Sequence, residues 1–266
     1  MTTFGVTMVR DEADVIAGTL RHLAGEVDHL IVADNGSVDG TREILAQLVD
    51  ELPLTVFDDR DLAYYQSAKV SALADRAAAM GAVWVVPFDA DELWLADRGR
   101  IRDVLAGLDA YDVAIAPLYN HFCTAIDPFG SDPFRTMVWR QPRAAPLVKV
   151  AFRWRPGAIV HQGNHGVTLP GGCQVLTALE VRHFPARSPQ QFSRKGANGA
   201  QAYRATDLPE TEGAHWRGYG HLIDRFGPHA LEDVFRQHWW YYSPVDAGLV
   251  YDPAPYLHWR NDAAKA

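Results

Sequence analysis

Apolar residues recur along the first half of the chain in two alternating patterns, short continuous runs and helical spacing. The continuous runs predict buried strands over 4–9, 29–33, 54–57, 83–88 and 113–118. Between them, apolar residues three and four positions apart predict helices over 12–23, from 41 onward, over 64–80 and over 101–108. Strands that alternate with helices imply right-handed crossovers. The pattern therefore predicts the α/β class, with a mostly parallel central sheet flanked by helices.

The second half of the chain has a less regular pattern. It predicts a long loop over 120–135, strands over 136–140, 148–152, 158–160 and 175–183, and a helix over 190–203. No linker is long enough to require separate domains, so we expect one domain over 1–206 and a helical C-terminal extension over 207–266 packed on it. The aromatic residues of the extension either shape a cleft in which a ligand stacks on them or cover the sheet as core. The cleft candidates are Trp239, Trp240, Tyr241 and Tyr242, and the extension also contains Trp216 and Trp259.

Composition excludes several classes of protein. Of the 266 residues, 48% are apolar and 22% are charged, as in ordinary globular proteins and unlike disordered chains. Two cysteines, Cys123 and Cys173, cannot form a disulfide scaffold, which favours reduced thiols in the cytoplasm. No apolar run approaches the roughly 18 residues that span a bilayer, and the first residues lack the basic region of a signal peptide. We therefore expect a cytoplasmic protein with no membrane span.

Charge is distributed unevenly along the chain. Residues 1–132 contain 9 basic and 23 acidic side chains, whereas residues 133–206 contain 11 basic and 1 acidic. An acidic half and a basic middle segment suit an anionic ligand that is bound through a metal ion. A nucleic-acid surface is the weaker interpretation, because the arginines are spread among proline, glycine and apolar residues and form no basic helix. We expect no nucleic-acid partner.

Two carboxylates follow the fourth predicted strand, at Asp89 and Asp91. Ligands of parallel α/β sheets bind beyond the carboxyl ends of the strands, and both acids can face one cleft there. Carboxylate oxygens suit Mg²⁺ or Mn²⁺, and such an ion neutralises charge on a departing nucleoside diphosphate. The alternative is a solvated turn or a helix start, with Asp91 or Glu92 in the first turn.

A polar turn, DNGSVDGT at 34–41, follows the second predicted strand. Its glycines permit tight turning and its Asp and Ser side chains can cap the next helix, so local structure alone can explain the segment. In the functional interpretation, Asp34 at the strand end hydrogen-bonds a nucleobase, and the turn leaves space for that base.

Four segments together resemble one known family. DNGSVDGT at 34–41 resembles the signature of the family 2 glycosyltransferases, and WVVPFDADELW at 84–94 is similar to their metal-binding strand end. TMVRDEADVI at 7–16 is similar to the first strand and turn of that family. RHFPARS at 182–188, with Gln191, Phe192 and Lys195, is similar to a stretch in the branch with DADE motifs. The resemblance covers roughly residues 3–205.

The resemblance implies a GT-A fold and a metal-dependent glycosyltransferase. Such an enzyme transfers a sugar from a UDP-, GDP- or dTDP-sugar donor to a sugar, lipid or small-molecule acceptor, usually with inversion. The backbone near Val9, together with Glu12 and Asp34, would lie around the donor base. Lys69, on the helix before the fourth strand, is a candidate for binding the donor phosphates.

The resemblance also implies the roles of the residues around the diphosphate. Asp89 would approach the ribose or the water shell of the metal ion, and Asp91 would bind Mn²⁺ or Mg²⁺ directly. His183 matches a late histidine that supplies a further metal or diphosphate contact, although a strand-end histidine bonded to the backbone is the equal alternative. Arg187 and Lys195 would lie near the same diphosphate.

Inverting transfer needs a group that takes the proton of the acceptor hydroxyl. The family usually supplies an acid downstream of the DxD motif, and here Asp132 lies on a long loop that an acceptor can reach. His165 occupies roughly the sequence distance at which the acid is expected, which makes it the second candidate base. His161 and His165 could also suggest zinc, but no third ligand has convincing spacing.

Other functions fit the residues less well. A phosphohydrolase of the HAD type needs its nucleophilic aspartate after the first strand, whereas the DADE segment follows the fourth. A sugar-nucleotide pyrophosphorylase needs a glycine-rich basic loop after the first strand, and a dinucleotide dehydrogenase needs the Rossmann glycines; neither motif is present. A carbohydrate-binding protein that has the fold without turnover stays open.

Overall fold

The apolar runs of the chain form strands and the amphipathic segments form helices in the computed structural model, which describes residues 1–127, 129–130 and 132–253. The strands are β1 (Thr3–Val9), β2 (His29–Asp34), β3 (Leu54–Asp58), β4 (Trp84–Pro87), β5 (Glu92–Ala96), β6 (Val113–Thr124), β7 (Trp139–Arg140), β8 (Val148–Arg153), β9 (Ile159–Val160), β10 (Val167–Thr168), β11 (Val175–Thr177), β12 (Leu179–His183), β13 (Trp240–Tyr241) and β14 (Val250–Tyr251). The helices are α1 (Ile16–Glu26), α2 (Thr41–Leu48), α3 (Gln66–Ala79), α4 (Ile101–Ala106), α5 (Pro133–Thr136), α6 (Pro189–Arg204), α7 (Ala214–Phe226) and α8 (Ala230–His238).

The main sheet has the strand order β3-β2-β1-β4-β8-β6-β7-β14. The first four strands are parallel, and Val9 at the end of β1 pairs with Asp34 at the end of β2. Strand β8 lies antiparallel between β4 and β6, and β6 also pairs in parallel with β12. The predicted α/β class with a mostly parallel central sheet is confirmed. Its parallel strands end on the same side, where the polar segments follow them.

The sequence pattern misses several features of the second half. Strand β6 continues to Thr124, where a loop over 120–135 was expected, because its far end pairs with β7, β12 and β13. Strand β5 begins at Glu92, directly after the DxD motif, and pairs antiparallel with β12. Both errors arise from partners that are distant in sequence. A short helix, α5, precedes β7 where a strand over 136–140 was expected, and the expected strand over 175–183 is interrupted at Ala178.

Two apolar layers cover the faces of the sheet. One layer packs α1 and α2 against β1, β2 and β4, and Leu20, Leu45 and Trp84 are buried in it. The other layer packs α3 against the opposite face, with Val70 and Phe152 buried. Because helices cover both faces, the strands are continuous apolar runs instead of alternating patterns.

The C-terminal segment contacts the rest of the chain through α6. Helices α7 and α8 both pack on α6, and Phe192, Leu231 and Phe235 are buried at this junction. Strand β13 adds to the far end of β6. Trp259 lies outside the described residues. Among the helices of the described part of the chain, none is long and apolar enough to cross a membrane.

Candidate active site

The carboxyl ends of β1 and β4 open into a cavity of about 550 Å³, whose wall also includes residues of α6 and α7. Seven of the residues that the sequence predicts for a site line this cavity: Val9, Glu12, Asp89, Asp91, His165, His183 and Lys195. Four predicted residues lie outside its described lining: Asp34, Lys69, Asp132 and Arg187. The fold therefore brings most, but not all, of the candidate residues together.

Asp91 is the most buried carboxylate of the cavity, at 1% exposure. Its Oδ2 accepts a hydrogen bond from the ammonium of Lys195 on α6 and lies 3.5 Å from Nη1 of Arg187. Burial alone would raise the pKa of Asp91. The charges of Lys195 and Arg187, together with that of His183 once it is protonated in acid, outweigh burial and hold the pKa of Asp91 well below its usual value. Asp91 is therefore a charged carboxylate at neutral pH, at the tip of the central sheet.

His183 faces Asp91 from the end of β12, which pairs in register with Glu92 of β5. Its Nδ1 donates to the amide oxygen of Asn120 at 2.8 Å, which leaves the Nε2 lone pair 3.7 Å from Asp91 Oδ2. Burial lowers the pKa of His183 to about 4, so the imidazole is neutral at neutral pH. Two acceptors that face each other favour a cation between them.

A divalent ion would find two protein ligands at this point, the Asp91 carboxylate and the His183 imidazole. Among the described residues, no group of three or more His, Cys, Asp or Glu side chains has the geometry of a metal site. Mg²⁺ and Mn²⁺ nevertheless use sites with one or two protein ligands when substrate phosphates and water supply the rest. The donor set fits a metal ion that is completed by a diphosphate.

Arg187 lies beneath Asp91 and joins it to the loop after β1. The guanidinium forms an ion pair with Glu12 and donates from Nε to Asp14 Oδ2 at 2.7 Å. Lys195 Nζ lies 3.2 Å from Glu12 Oε1, so Glu12 and Asp91 share both cations. Burial raises the pKa of Glu12 against the opposing effect of Lys195 and Arg187. Glu12 is thus committed to this ion cluster, although the resemblance implies that it lies around the donor base.

A second ion cluster lies beside the first. Nζ of Lys149, on β8, lies 2.5 Å from Asp89 Oδ2 and 2.7 Å from Glu92 Oε1. Glu92 also accepts from the Trp94 indole N–H at 3.1 Å. Burial raises the pKa of Glu92 to about 7, and Lys149 opposes this rise. For Lys149, burial favours the neutral amine, but Asp89 and Glu92 outweigh burial and raise the pKa above its ordinary value.

Residues 161–166, which we call the His165 loop, contact the cavity beside Asp89. The amide of Asn164 donates to Asp89 Oδ1 at 3.0 Å, and the Gly163 carbonyl accepts from Lys149 at 2.8 Å. His165 Nδ1 donates to the Val148 carbonyl at 2.9 Å, so its Nε2 carries the lone pair. Burial, followed by the charge of Lys149, lowers the pKa of His165. The loop therefore presents a neutral imidazole that can accept a proton.

Asp34 is held by its own turn. Its Oδ1 accepts from the Ser37 backbone N–H at 3.1 Å, and its Oδ2 lies 2.7 Å from Arg42. The next residue, Asn35, lines the cavity instead, and its side-chain amide donates to Asp59 Oδ2 at 2.8 Å. Contacts to Ser37 and Arg42 thus occupy Asp34, and Asn35 is the residue of this turn that lines the cavity.

Two further candidates lie apart from the ion clusters. Lys69 Nζ lies 2.8 Å from Asp59 Oδ2, beside the end of β3. Asp132 caps α5 by accepting from the Phe134 N–H at 3.0 Å, and it lies 3.2 Å from Arg135. Asp132 lines a different cavity of about 490 Å³ near the start of α1. His165 is thus the candidate base that lies with the acids.

The cavity has an aromatic wall, which we define as Phe192 of α6, Trp216 and Tyr219 of α7, and Trp239. Close packing of α7 on α6 depends on glycine, because a Cβ at Gly199 would lie 2.4 Å from Trp216 Cε3. The wall offers the flat apolar faces that sugar rings and other apolar groups stack on. Of the aromatic residues that the sequence suggested for a cleft, Trp239 lines the cavity.

The sequence pattern did not identify Lys149, Gln66, Asn164 or Trp216 as site residues. For Lys149 a signal exists, since it is a lone lysine in the otherwise apolar segment 148–152. Gln66 and Asn164 give no comparable signal, because ordinary polar residues become site residues only through contacts distant in sequence. Trp216 looks like any core aromatic until α7 is placed on α6.

Comparison with known proteins gives a family and several distant structures. A family model described as glycosyl transferase family 2 matches residues 6–151. S. aureus TarS 1-349 is similar at 13% identity and a TM-score of 0.42, over 85% of this chain and 72% of that chain. TarS 1-349 in complex with UDP-GlcNAc is similar at 13% identity and a TM-score of 0.39, over 90% of this chain and 76% of that chain. GalNAc-T7 with UDP, GalNAc and Mn²⁺ is similar at 11% identity and a TM-score of 0.38, over 90% of this chain and 58% of that chain. No curated protein sequence matches.

Proposed function

Because the chain belongs to glycosyl transferase family 2, we propose that it moves a sugar from a nucleoside-diphosphate sugar to an acceptor hydroxyl, with inversion at the anomeric carbon. One observation supports this proposal above all. A single cavity joins the acids at the ends of β1 and β4 to the cations of α6 and β8. Such a cavity can bind a dianionic leaving group and an electrophilic sugar together.

The donor has a natural orientation in this cavity. Val9 and Asn35, at the ends of β1 and β2, line the part suited to the nucleoside. Lys195 offers its ammonium to the diphosphate, since a phosphate oxygen can replace one of its two carboxylate partners. Asp89 retains 30% side-chain exposure and can contact the ribose. UDP-, GDP- and dTDP-sugars all satisfy these requirements.

We propose that Asp91 and His183 hold Mn²⁺ or Mg²⁺ while the donor is bound. The ion would neutralise negative charge on the leaving diphosphate. Lys195 and Arg187 supply positive charge at the same carboxylate from the protein itself. Lys195 lines the cavity beside Asp91, and Arg187 contacts Asp91 from outside the lining. The C1–O bond to the phosphate would therefore break with its electron pair moving toward this positive charge.

We propose His165 as the general base. The acceptor oxygen attacks C1 of the donor sugar, the bond from C1 to the phosphate oxygen breaks, and the hydroxyl proton passes to Nε2 of His165. The neutral imidazole and its place in the cavity support this assignment over Asp132, which lines the other cavity. Asp132→Asn should therefore leave turnover within about twofold of wild type, because asparagine caps helices as well as aspartate does.

The aromatic wall is the part of the cavity best suited to the acceptor. It carries no acidic or basic side chain, and the charged side chains of the cavity belong to other parts of its lining. A sugar ring, a lipid or an apolar small molecule can pack on such a surface, and a polyanion would gain nothing from it. The acceptor hydroxyl would then lie between the aromatic wall and the bound donor.

Ligand-dependent melting tests the proposal. The protein is heated with UDP, GDP, dTDP and CDP compounds and their sugars, with and without Mn²⁺. A ligand at 100 times its dissociation constant adds about 2.7 kcal/mol of stability, which raises the melting temperature by roughly 5–10 °C for a chain of this size. No shift with any compound in the presence of metal would contradict the proposal. Binding without donor hydrolysis or transfer would instead indicate a non-catalytic binding protein.

A further inference from the structure

The His165 loop makes more contacts with the DxD strand end than a surface loop requires. Asp89 accepts from Asn164 at 3.0 Å on one oxygen and from Lys149 at 2.5 Å on the other. Lys149 donates in turn to the Gly163 carbonyl at 2.8 Å, which closes a ring of contacts. The Gly163 N–H donates to Gln66 Oε1 at 2.7 Å, and Gln66 Nε2 lies 3.3 Å from Asp89 Oδ1. Both backbone groups of Gly163 are therefore tied to residues that surround Asp89.

Asn164 adopts a backbone conformation that the loop must maintain. It has φ +59° and is 1% exposed, and only one other non-glycine residue of the described chain, Asp11, has a positive φ. The left-handed region costs a non-glycine residue about 1–3 kcal/mol, so it persists where surrounding contacts enforce it. Glycine would relieve this cost but would lose the amide that reaches Asp89. The side chain at position 164 thus has a specific function in the contact.

Lys149 connects this loop to the sheet. It is nearly fully buried, and its ammonium donates to Asp89 and to the Gly163 carbonyl while it forms an ion pair with Glu92 Oε1 at 2.7 Å. A lysine that only neutralised the Asp89–Glu92 pair would not need the third contact. Strand β8 therefore carries both the ammonium that bonds Gly163 and, one residue earlier, the Val148 carbonyl that orients the His165 ring.

The imidazole itself packs on the same backbone. A Cβ at Gly163 would lie 2.5 Å from Cδ2 and 2.7 Å from Nε2 of His165. The His165 ring therefore lies directly over Gly163, while the Val148 carbonyl holds its Nδ1. Any shift of Gly163 away from Lys149 would move the imidazole with it.

We propose that Asp89, Lys149 and Asn164 act as positioning residues that fix the His165 loop and so hold Nε2 of His165 in the nucleotide-sugar cavity. This inference rests on the proposed function, in which His165 is the base. It gives Asp89 a second role besides contact with the donor. A donor that contacts Asp89 would therefore influence the placement of the base.

Hydrogen exchange measured by mass spectrometry on the full chain without ligand tests the positioning directly. Asn164→Asp keeps the shape of the side chain and tolerates positive φ, but it sets a carboxylate against Asp89. Loss of one bond to a charged group should speed exchange over 161–166 by about tenfold to a hundredfold. Lys149→Met combined with Glu92→Gln, which avoids an unpaired buried charge, should have the same local effect. Gln190→Glu, an exposed amide-to-acid change on α6, should have none.

An exchange of partners provides the sharpest test. Asp89→Asn combined with Asn164→Asp restores an amide that faces a carboxylate, although it removes the charge that Lys149 contacts at position 89. Exchange over 161–166 should therefore be slower in the double variant than in Asn164→Asp alone. Failure of this double variant to restore protection, or unchanged exchange in Asn164→Asp, would overturn the proposal.

Turnover of Asn164→Asp separates positioning from mere stability. UDP-glucose, or whichever nucleotide sugar gives the largest melting shift, serves as the probe. Its affinity should stay within about threefold of wild type, while donor turnover should fall by about tenfold or more, because only the base is displaced. Faster loop exchange with unchanged turnover would refute the link to His165. If no nucleotide sugar binds the wild type, the proposed function fails, and the exchange data still decide whether the cluster fixes the loop.

Discussion

Replacement of Asp91 by asparagine removes the charge at the centre of the site and keeps the shape of the side chain. The wild-type carboxylate is 1% exposed, and its Oδ2 lies within ion-pair distance of Lys195 and Arg187. In the variant these two cations lose a partner that they share. The change therefore tests whether Asp91 stabilises the fold as well as binding ligand.

The surrounding contacts set the size of the effect. Breaking a buried ion pair by removal of one partner costs about 3–5 kcal/mol, because the other charge is left uncompensated. Here Glu12 still contacts both cations and Asp14 still contacts Arg187, so compensation is only partly lost. We expect about half the full cost, ~2 kcal/mol, which lowers the melting temperature by roughly 4–8 °C for a chain of this size.

The pH dependence of this stabilisation has a definite sign. Burial opposes ionisation of Asp91, but Lys195, His183 and Arg187 outweigh it and lower the folded-state pKa. The stabilisation is therefore fully present above the unfolded-state pKa of about 3.9, and it is lost as pH falls through the folded-state pKa. Wild type and Asp91→Asn should differ most near neutral pH, and the difference should shrink below about pH 4.

Thermal unfolding followed by circular dichroism measures the effect. Asp109→Asn, at an exposed position, is the matched control and should have the same melting temperature as wild type. Asp91→Asn should also lose the Mn²⁺-dependent shift with a nucleoside diphosphate. The reasoning is refuted if Asp91→Asn melts within about 1 °C of wild type and retains that shift.

Three further changes test other parts of the structure. His165→Gln should lower turnover by about a hundredfold or more without weakening donor binding. Since burial lowers the pKa of His165, wild-type turnover should stay constant as the pH falls to about 6.5, the ordinary pKa of histidine, and should decrease only at lower pH. A decrease in turnover that begins above that pH would contradict the assignment. Gly199→Ala should lower the free energy of unfolding by about 1–3 kcal/mol through overpacking, because the new Cβ would lie 2.4 Å from Cε3 of Trp216. Gly218→Ala, with open space around it, should raise the free energy of unfolding by about 0.5–1 kcal/mol. Calorimetry compares the two variants, and equal effects would refute the close packing. A thiol reagent should label Cys173 in the native protein and Cys123 only after unfolding, because burial raises the pKa of Cys123 to about 12; native labelling of both thiols would contradict this packing.

The segregation of charge along the sequence acquires a structural explanation. Acids of the first half, Asp89 and Asp91, meet cations of the basic middle segment, Lys149 and Lys195, at the tip of the sheet. The sequence indicated that two oppositely charged segments exist and that an anionic ligand suits them. It could not indicate that the segments neutralise each other in pairs, because the partners lie tens of residues apart.

The local pattern predicted most elements of the first half, because parallel strands covered on both faces are continuous apolar runs and their helices have clear apolar stripes. The DxD position at the end of β4 followed from the same pattern. Strand β5 was missed, since Glu92–Ala96 becomes a strand only through β12, more than 80 residues later.

The sequence by itself determined the strand–helix order, the acids at the strand ends and the segments that resemble the family. Tertiary structure decided which candidates share a cavity: His165 does, whereas Asp132 caps a helix beside another cavity. It also decided the contacts that Lys149 and Asn164 make with Asp89. The physical reason is the same in each case. Periodicity and capping act between neighbours in sequence, whereas ion pairs and buried hydrogen bonds depend on groups that only the folded chain brings within 3 Å.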